Sequence, residues 1–503
     1  MITETFSTSQ EIVSTATLVD RLINAFNRDE IIYSHWKSNI DLAQATVGEL
    51  DLDFLVDRKS LPQALTILSH LGFKAAVARW GANPPSIRHF YGLDPDTQQL
   101  IHVHLFSRVL TGESYVKSHL FLFETMLLEN VYYSDRIRVT SKAAELVLYT
   151  LRMFIKYGSL LDLVTVGRKS ESIKAEVRWL QDNGDLSETL TLLGKYCPVM
   201  DEQLFVKCIK TLDSNSSLIS RMILAQQVRR RLKVYAKHTS FQRFLAYSQL
   251  FWAEVRRRLP TKQKNKVLQA GGAVIAFVGA DATGKSTLVS ETYRWLGEVF
   301  AVKVIHTGKP PSSWLTIPIN LGLRLARKRT SLKQGGGGDL YQSQHTFRGL
   351  SSLLFAVRAV ALAWDRQRLI LKARRRAAEG EFIICDRYPS QTLGAMDSPR
   401  LVEAPLKAGP IAAIYNGMAR LEKRLYQQIP PPDIVLKLSV SLETARKRNN
   451  ERQGQDGDTY LEARHHQSQA WHMCGTGYLY DIDTEQSLAE TIDCVKRAIW
   501  ESL

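Results

Sequence analysis

The stretch 273–295, AVIAFVGADATGKSTLVSETYRW, limits what this chain can fold into more than any other. Six mostly apolar residues run into Gly279-Ala280-Asp281-Ala282-Thr283-Gly284-Lys285-Ser286, and a helical pattern begins at Lys285. A buried strand, a G-x-x-x-x-G-K-[ST] turn and a helix, in that order, make a loop whose N–H groups point at phosphate oxygens. The glycines permit the turn, and the helix that follows adds the positive end of its dipole. Lys285 supplies a cation for β- and γ-phosphates, and the Ser286 hydroxyl is a hard oxygen ligand for Mg²⁺. The candidate nucleotide-binding set is therefore Gly279, Asp281, Thr283, Gly284, Lys285, Ser286 and Thr287.

Downstream, 302–306 reads as a second strand, and 335–338 are four consecutive glycines, expected to form a mobile loop or lid hinge. A long helical pattern over 347–378 ends at Gly380, and the strand 381–386 delivers Asp386 and Arg387 to its carboxyl end. Ligands bind at that edge of a parallel sheet. Asp386 is expected to hold the Mg²⁺ shell or orient the attacking oxygen, and Arg387 to bridge phosphates that would otherwise repel. Strands at 434–438 and 478–482 alternate with helices at 441–451 and 488–500. Arg448 and Arg452 are i, i+4 neighbours on one helical face, a pair suited to closing over a triphosphate. The catalytic candidates are Lys285, Asp386, Arg387, Arg448 and Arg452, with Ser286 and Asp386 as metal ligands.

The segment 273–500 resembles thymidylate kinase, a nucleoside monophosphate kinase of the P-loop class. The resemblance rests on Gly279-x-Asp281-x-x-Gly284-Lys285-Ser286-Thr287, on 378–388, on 432–438 and on 443–448. It implies a doubly wound parallel sheet, ATP and Mg²⁺ as cofactors, Asp281 on the acceptor's sugar hydroxyl and Arg387 on its phosphate. Arg448 and Arg452 would belong to a lid over ATP, and Asp365-Arg366 falls where such kinases place an acceptor-contacting arginine. Three places depart from the pattern: Ala282 stands where the family prefers Gly, Thr307-Gly308-Lys309-Pro310-Pro311 replaces the segment after the second strand, and 389–400 does not look like a thymine site.

Nearer the N-terminus, 14–27 reads as a helix, 31–36 as a strand, 61–71 as a helix and 99–106 as a strand carrying His102 and His104 on one face. Asp51 and Asp53 alternate with Leu52 and Phe54, so both carboxylates share one side of a strand. Paired acids of this kind serve two-metal phosphoryl chemistry, which makes Asp51 and Asp53 secondary metal candidates. The order resembles the nucleotidyltransferase superfamily over roughly residues 30–110. Its usual Gly-Ser is replaced here by Lys37-Ser38-Asn39, and its third carboxylate by His102, a poorer Mg²⁺ ligand. A degenerate, substrate-binding or regulatory version of that fold is the expectation. Fused proteins of this look are familiar from bacterial surface-polysaccharide gene clusters, an association that belongs to the resemblance.

Between these parts lie helical patterns over 143–157, 173–179, 186–196 and 203–212, then a basic stretch, 226–258, with interleaved aromatics and a polar linker at 260–266. The formal charge of +16 fits a phosphate-rich partner. Nucleic acid or an anionic membrane surface would suit the basic stretch, but aromatics at helical spacing favour an amphipathic helical hairpin. Five cysteines without metal-ligand spacing read as reduced and intracellular. No apolar run is long enough to span a membrane, so a cytoplasmic protein is expected.

The sequence thus predicts an α/β chain of three segments: 1–165, a nucleotidyltransferase-like α+β domain; 166–270, a basic helical bridge; and 271–503, a P-loop kinase domain. The expected activity is ATP-dependent γ-phosphoryl transfer to a small-molecule phosphate acceptor, first a nucleoside monophosphate such as dTMP, with a homodimer possible. A kinase for a sugar or glycan precursor and a non-catalytic ATP-binding regulator are the alternatives.

Overall fold

The computed structural model describes residues 17–79, 83–112, 117–157, 170–182, 185–214, 216–237, 266–308, 310–313, 316–317, 350–405, 409–451 and 457–503. The chain divides into two compact units, Ile12–Gln269 and Ala270–Leu503.

In the first unit, α1 (Leu18–Arg28) begins at a capping box between Thr17 and Asp20 and buries Leu18, Leu22, Ile23 and Phe26. There follow β1 (Tyr33–His35), α2 (Leu42–Thr46), β2 (Leu52–Val56), α3 (Leu61–His70), β3 (Lys74–Ala78), β4 (Ile87–Leu93) and β5 (Leu100–Phe106). Next come β6 (Val109–Thr111), β7 (His119–Phe121), α4 (Glu124–Glu129), β8 (Val131–Ser134) and β9 (Ile137–Thr140). Helices α5 (Lys142–Tyr157), α6 (Ser170–Gln181), α7 (Leu186–Tyr196), α8 (Glu202–Asp213) and α9 (Leu218–Arg231) precede β10 (Lys266–Leu268). Eight of these strands form one mixed sheet in the order β10-β3-β4-β5-β2-β1-β9-β8. The strands expected at 31–36 and 99–106 are β1 and β5; β3, β4 and β6 to β9 went unforeseen.

One core lies between α1, α3 and the sheet, around Phe26, Phe54, Leu68 and Val103. A second is built on α5, where Phe154 and Leu151 meet Phe121, Phe205 and Leu212. The helices read in sequence as a bridge therefore share a core with α5. Two details of that reading change. Lys266, taken as the end of a polar linker, is a strand residue paired with Ala78. Tyr235, from the basic stretch, packs its ring 5.2 Å from that of Phe121. The remaining aromatics of that stretch lie outside the described residues.

In the second unit, β11 (Val274–Gly279), α10 (Lys285–Gly297), β12 (Val302–His306), α11 (Leu350–Ala378) and β13 (Phe382–Asp386) come first. Then follow α12 (Pro410–Gln427), β14 (Ile434–Ser439), α13 (Leu442–Glu451), α14 (Asp458–Gln469), β15 (Tyr478–Asp483) and α15 (Leu488–Glu501). Five strands run parallel in the order β12-β13-β11-β14-β15. Each residue of β11 is buried, as an apolar run covered on both faces requires. The strand order changes direction at β11, the place where such a sheet opens a crevice at its carboxyl edge. Helices α12 and α14 were not foreseen; the four-glycine segment lies outside the described residues. Among the described residues no helix is long and apolar enough to cross a membrane.

Candidate functional site

The loop after β11 is shaped by backbone conformations that few residues adopt. Gly279 and Gly284 have φ of 154° and 86°, and Ala282 sits at 65°. The left-handed value at Ala282 explains why the resembled family favours Gly there. A Cβ on Gly279 would lie 2.7 Å from the Leu438 carbonyl oxygen, so β14 packs directly against the loop. Gly284 caps α10, leaving the first N–H groups of that helix aimed out of the loop. Lys285 is buried, and its ammonium donates to the Gly279 carbonyl at 3.0 Å and to that of Ala280. Burial lowers its pKa to about 8. Ser286 is exposed, and Thr283 is buried with its hydroxyl on Ala280 O at 2.9 Å.

Three donors converge on Asp281. Arg387 Nη2 lies 2.9 Å from Oδ1, while Tyr460 OH at 2.9 Å and Arg464 Nε at 3.1 Å donate to Oδ2. Burial alone would raise the Asp281 carboxyl; Arg387, Arg464 and Lys285 instead bring it down to about 2. Arg387 has a φ of 72°, unusual for a side chain of this size, and its N–H donates to Phe277 O. Such a reversal at a strand end is the kind of backbone strain found at functional sites. Tyr460 and Arg464, one helical turn apart on α14, were missed in sequence because that helix was. Their i, i+4 spacing just after Gly457 was the available signal.

Asp386 ends β13 in register with His306 at the end of β12, and His306 Nδ1 lies 2.8 Å from its Oδ2. Two hard oxygens, the Ser286 hydroxyl and the Asp386 carboxylate, belong to this edge, a donor set that suits Mg²⁺ once phosphate oxygens complete it. Among the described residues no group of three or more His, Cys, Asp or Glu side chains is arranged to hold a metal by itself. Beside the loop, a cavity of about 270 Å³ is lined by Ala280, Thr283, Ser439, His465, Gln469 and Glu485, among others.

Two arginines singled out in sequence are engaged elsewhere. Arg366 is completely buried, with Nε on Thr307 O, Nη1 on Tyr426 OH and Nη2 on Gly308 O and Asp397 Oδ1. It braces the turn after β12. Arg448 donates to Thr484 O at 2.6 Å. Arg452 lies outside the described residues.

In the first unit, Asp51 and Asp53 do share a face, with His102 Nδ1 2.6 Å from Asp51 Oδ1 and His104 Nδ1 3.1 Å from Asp53 Oδ1. Lys37 Nζ stands 2.7 Å from the same Asp53 oxygen. The carboxylates there are paired with side chains of the chain itself.

A glycine-shaped loop at the switch point of a parallel α/β sheet thus defines the candidate site in the second unit. No family model matches the chain. Curated relatives from Escherichia coli strains K12 and CFT073, each described as the uncharacterized ATP-binding protein YghR, are 24% identical over 238 residues, or 45% of this chain and 86% of the relative. Among solved structures, deoxyadenosine kinase from M. mycoides with bound dATP is similar at a TM-score of 0.27 and 18% identity, covering 44% of this chain and 97% of that one. The same kinase with dCMP product and a flexible dCDP bound is similar at 0.27 and 17%.

Proposed function

We propose that the second unit is an ATP-dependent phosphotransferase that moves the γ-phosphoryl group in line to a small-molecule acceptor. The observation that carries this reading is the loop Gly279–Thr287 with Asp386 and Arg387 brought beside it by β13. The E. coli relatives, described as ATP-binding, support the nucleotide half of it.

In this reading the loop amides and the start of α10 hold the triphosphate, and Lys285 moves from the Gly279 and Ala280 carbonyls to its phosphate oxygens. Mg²⁺, held by Ser286 and Asp386, would neutralise charge on the transferring group. Arg387 exchanges Asp281 for the acceptor, and Arg464 stays to position the Asp281 carboxylate against an acceptor hydroxyl. Arg448, which donates to Thr484 O, is a further candidate to approach the triphosphate. A nucleoside monophosphate remains the first acceptor, since Arg387 suits an acceptor phosphate.

The His306–Asp386 pair favours a second reading with the same donor chemistry. A hydroxyl acceptor must lose a proton, and an imidazole oriented by a carboxylate at 2.8 Å is built to receive it. A nucleoside or sugar alcohol is then the acceptor.

The test is γ-phosphate transfer from labelled ATP to a panel of nucleosides, nucleoside monophosphates, sugars and sugar phosphates. Lys285→Ala is expected to lose at least about 10²-fold in turnover while staying folded. Unchanged ATP-dependent transfer in that variant would refute the reading. Turnover of alcohols over phosphates, lost on His306→Ala, selects the second reading over the first.

A further inference from the structure

The acidic strand of the first unit lies in a cross-strand lattice of rings. Asp53 is the register partner of His104 on β5, and His104 is that of His89 on β4. One step along, Tyr91 faces His102, which in turn holds Asp51. The rings stack: Tyr91 on His102 at 4.4 Å and 3°, His89 on His104 at 4.3 Å and 19°. Lys266 reaches over from β10 to Tyr91 OH, to His89 Nδ1 at 3.2 Å and to His102 Nε2 at 3.4 Å. From the opposite side, just past β1, Lys37 puts its ammonium on Asp53.

A divalent cation does not fit this arrangement. Mg²⁺ takes six oxygens in near-ideal octahedral geometry at close range. Asp53 Oδ1 already has Lys37 Nζ at 2.7 Å and His104 Nδ1 at 3.1 Å. The imidazoles do not replace the missing oxygens. His102 Nδ1 lies 2.6 Å from Asp51 Oδ1, and an ionised carboxylate only accepts, so that nitrogen carries a proton and not a lone pair. His102 Nε2 is already engaged, 3.4 Å from Lys266 Nζ and 3.0 Å from His89 Nδ1, so that nitrogen is not open to an ion. Lys37 is itself held in place, its ammonium 4.8 Å from the Phe106 ring centroid and 5.5 Å from that of Trp36. Trp36 is buried and packs edge-on against Phe106. This lysine is built into the edge of the core and is not a loose surface chain.

We propose that Lys37 is a built-in cation standing where the paired acids of this strand would otherwise take a divalent metal, so that the first unit is a metal-independent site. Among the described residues, metal dependence then belongs to the second unit. Lys37 also accounts for the departure in the sequence, since it occupies the turn where the resembled superfamily carries Gly-Ser.

Manganese binding to the full-length chain, read by electron paramagnetic resonance without nucleotide, tests this. The wild-type protein and Asp51→Asn are expected to give the same titration, because no ion sits on these acids. Lys37→Met is expected to gain one Mn²⁺ site per chain, at least about tenfold tighter than any nucleotide-free site of the wild type, an affinity change of the size one freed carboxylate pair gives. Adding Asp53→Asn to Lys37→Met should remove that site, and Lys37→Arg, which keeps the charge, should not create it. Wild-type Mn²⁺ binding that Asp51→Asn abolishes would overturn the proposal. So would a folded Lys37→Met protein, checked by circular dichroism, that gains no site. If Lys37→Met does not fold, the comparison of wild type with Asp51→Asn decides alone.

Discussion

Asp281 and Arg464 offer the sharpest quantitative test of the site. Neither side chain reaches the other through its own element: one sits in the loop after β11, the other on α14, and they meet at 3.1 Å. The Asp281 carboxyl falls from 3.8 to about 2 in the folded chain. That difference of nearly two pH units corresponds to about 2.5 kcal/mol of stabilisation at neutral pH. Arg387, Arg464 and Lys285 share it, so the Asp281–Arg464 coupling alone should be about 1 kcal/mol. Because the folded pKa is depressed, the stabilisation is complete above the unfolded value of 3.8 and drains away as pH falls toward 2. At pH 3 the advantage of wild type over Asp281→Asn should have shrunk by about 1 kcal/mol. The assay is a double-mutant cycle of Asp281→Asn and Arg464→Met in a urea series, read by hydrogen exchange on peptides from 270–503, at pH 7 and pH 3. A coupling below about 0.3 kcal/mol at pH 7, or an Asp281→Asn effect equal at both pH values, would refute the reasoning.

Two further outcomes concern stability. Glu145 is fully buried against Asn39, and burial, with the Glu176 charge nearby, raises its carboxyl from 4.5 to about 7. A raised acid makes the wild type most stable below 4.5 and progressively less so up to pH 7. Glu145→Gln should therefore be more stable than wild type by up to about 3 kcal/mol at pH 8 and nearly equal at pH 4.5, measured by urea unfolding of the same peptides' counterparts in 12–269. A wild type more stable than the variant at pH 8 would contradict this. Arg366→Met strips the buried guanidinium from Thr307, Gly308 and Tyr426 and leaves Asp397 buried without it, which should cost about 3–5 kcal/mol. A loss under about 1 kcal/mol would show that the turn after β12 does not depend on it.

The phosphate-binding loop was legible in the sequence because its signal is local. Glycines at fixed spacing, a lysine and a serine must all lie within one turn, so no distant contact is needed to recognise it. The same holds for β11 and β13, whose apolar runs reflect burial on both faces. Asp386 and Arg387 were found at a strand end for that reason. The partners of Arg366 were not legible because sequence supplies a position along a helix but not what packs above it. Only the fold brings Thr307, Gly308, Asp397 and Tyr426 around one guanidinium.

What the sequence determined by itself was the order of the five strands in the second unit, the local turn Gly279–Ser286, and the placing of Asp51 with Asp53 on one face. The tertiary structure alone decided which charges neutralise which. It joined Asp281 to Arg387 and Arg464 across more than a hundred residues, His306 to Asp386 across neighbouring strands, and Lys37 to Asp53 beside two imidazoles. Ion pairs depend on distance and burial, and neither is encoded by spacing along the chain, so a pattern that reads as a metal site in one dimension closes on a lysine in three.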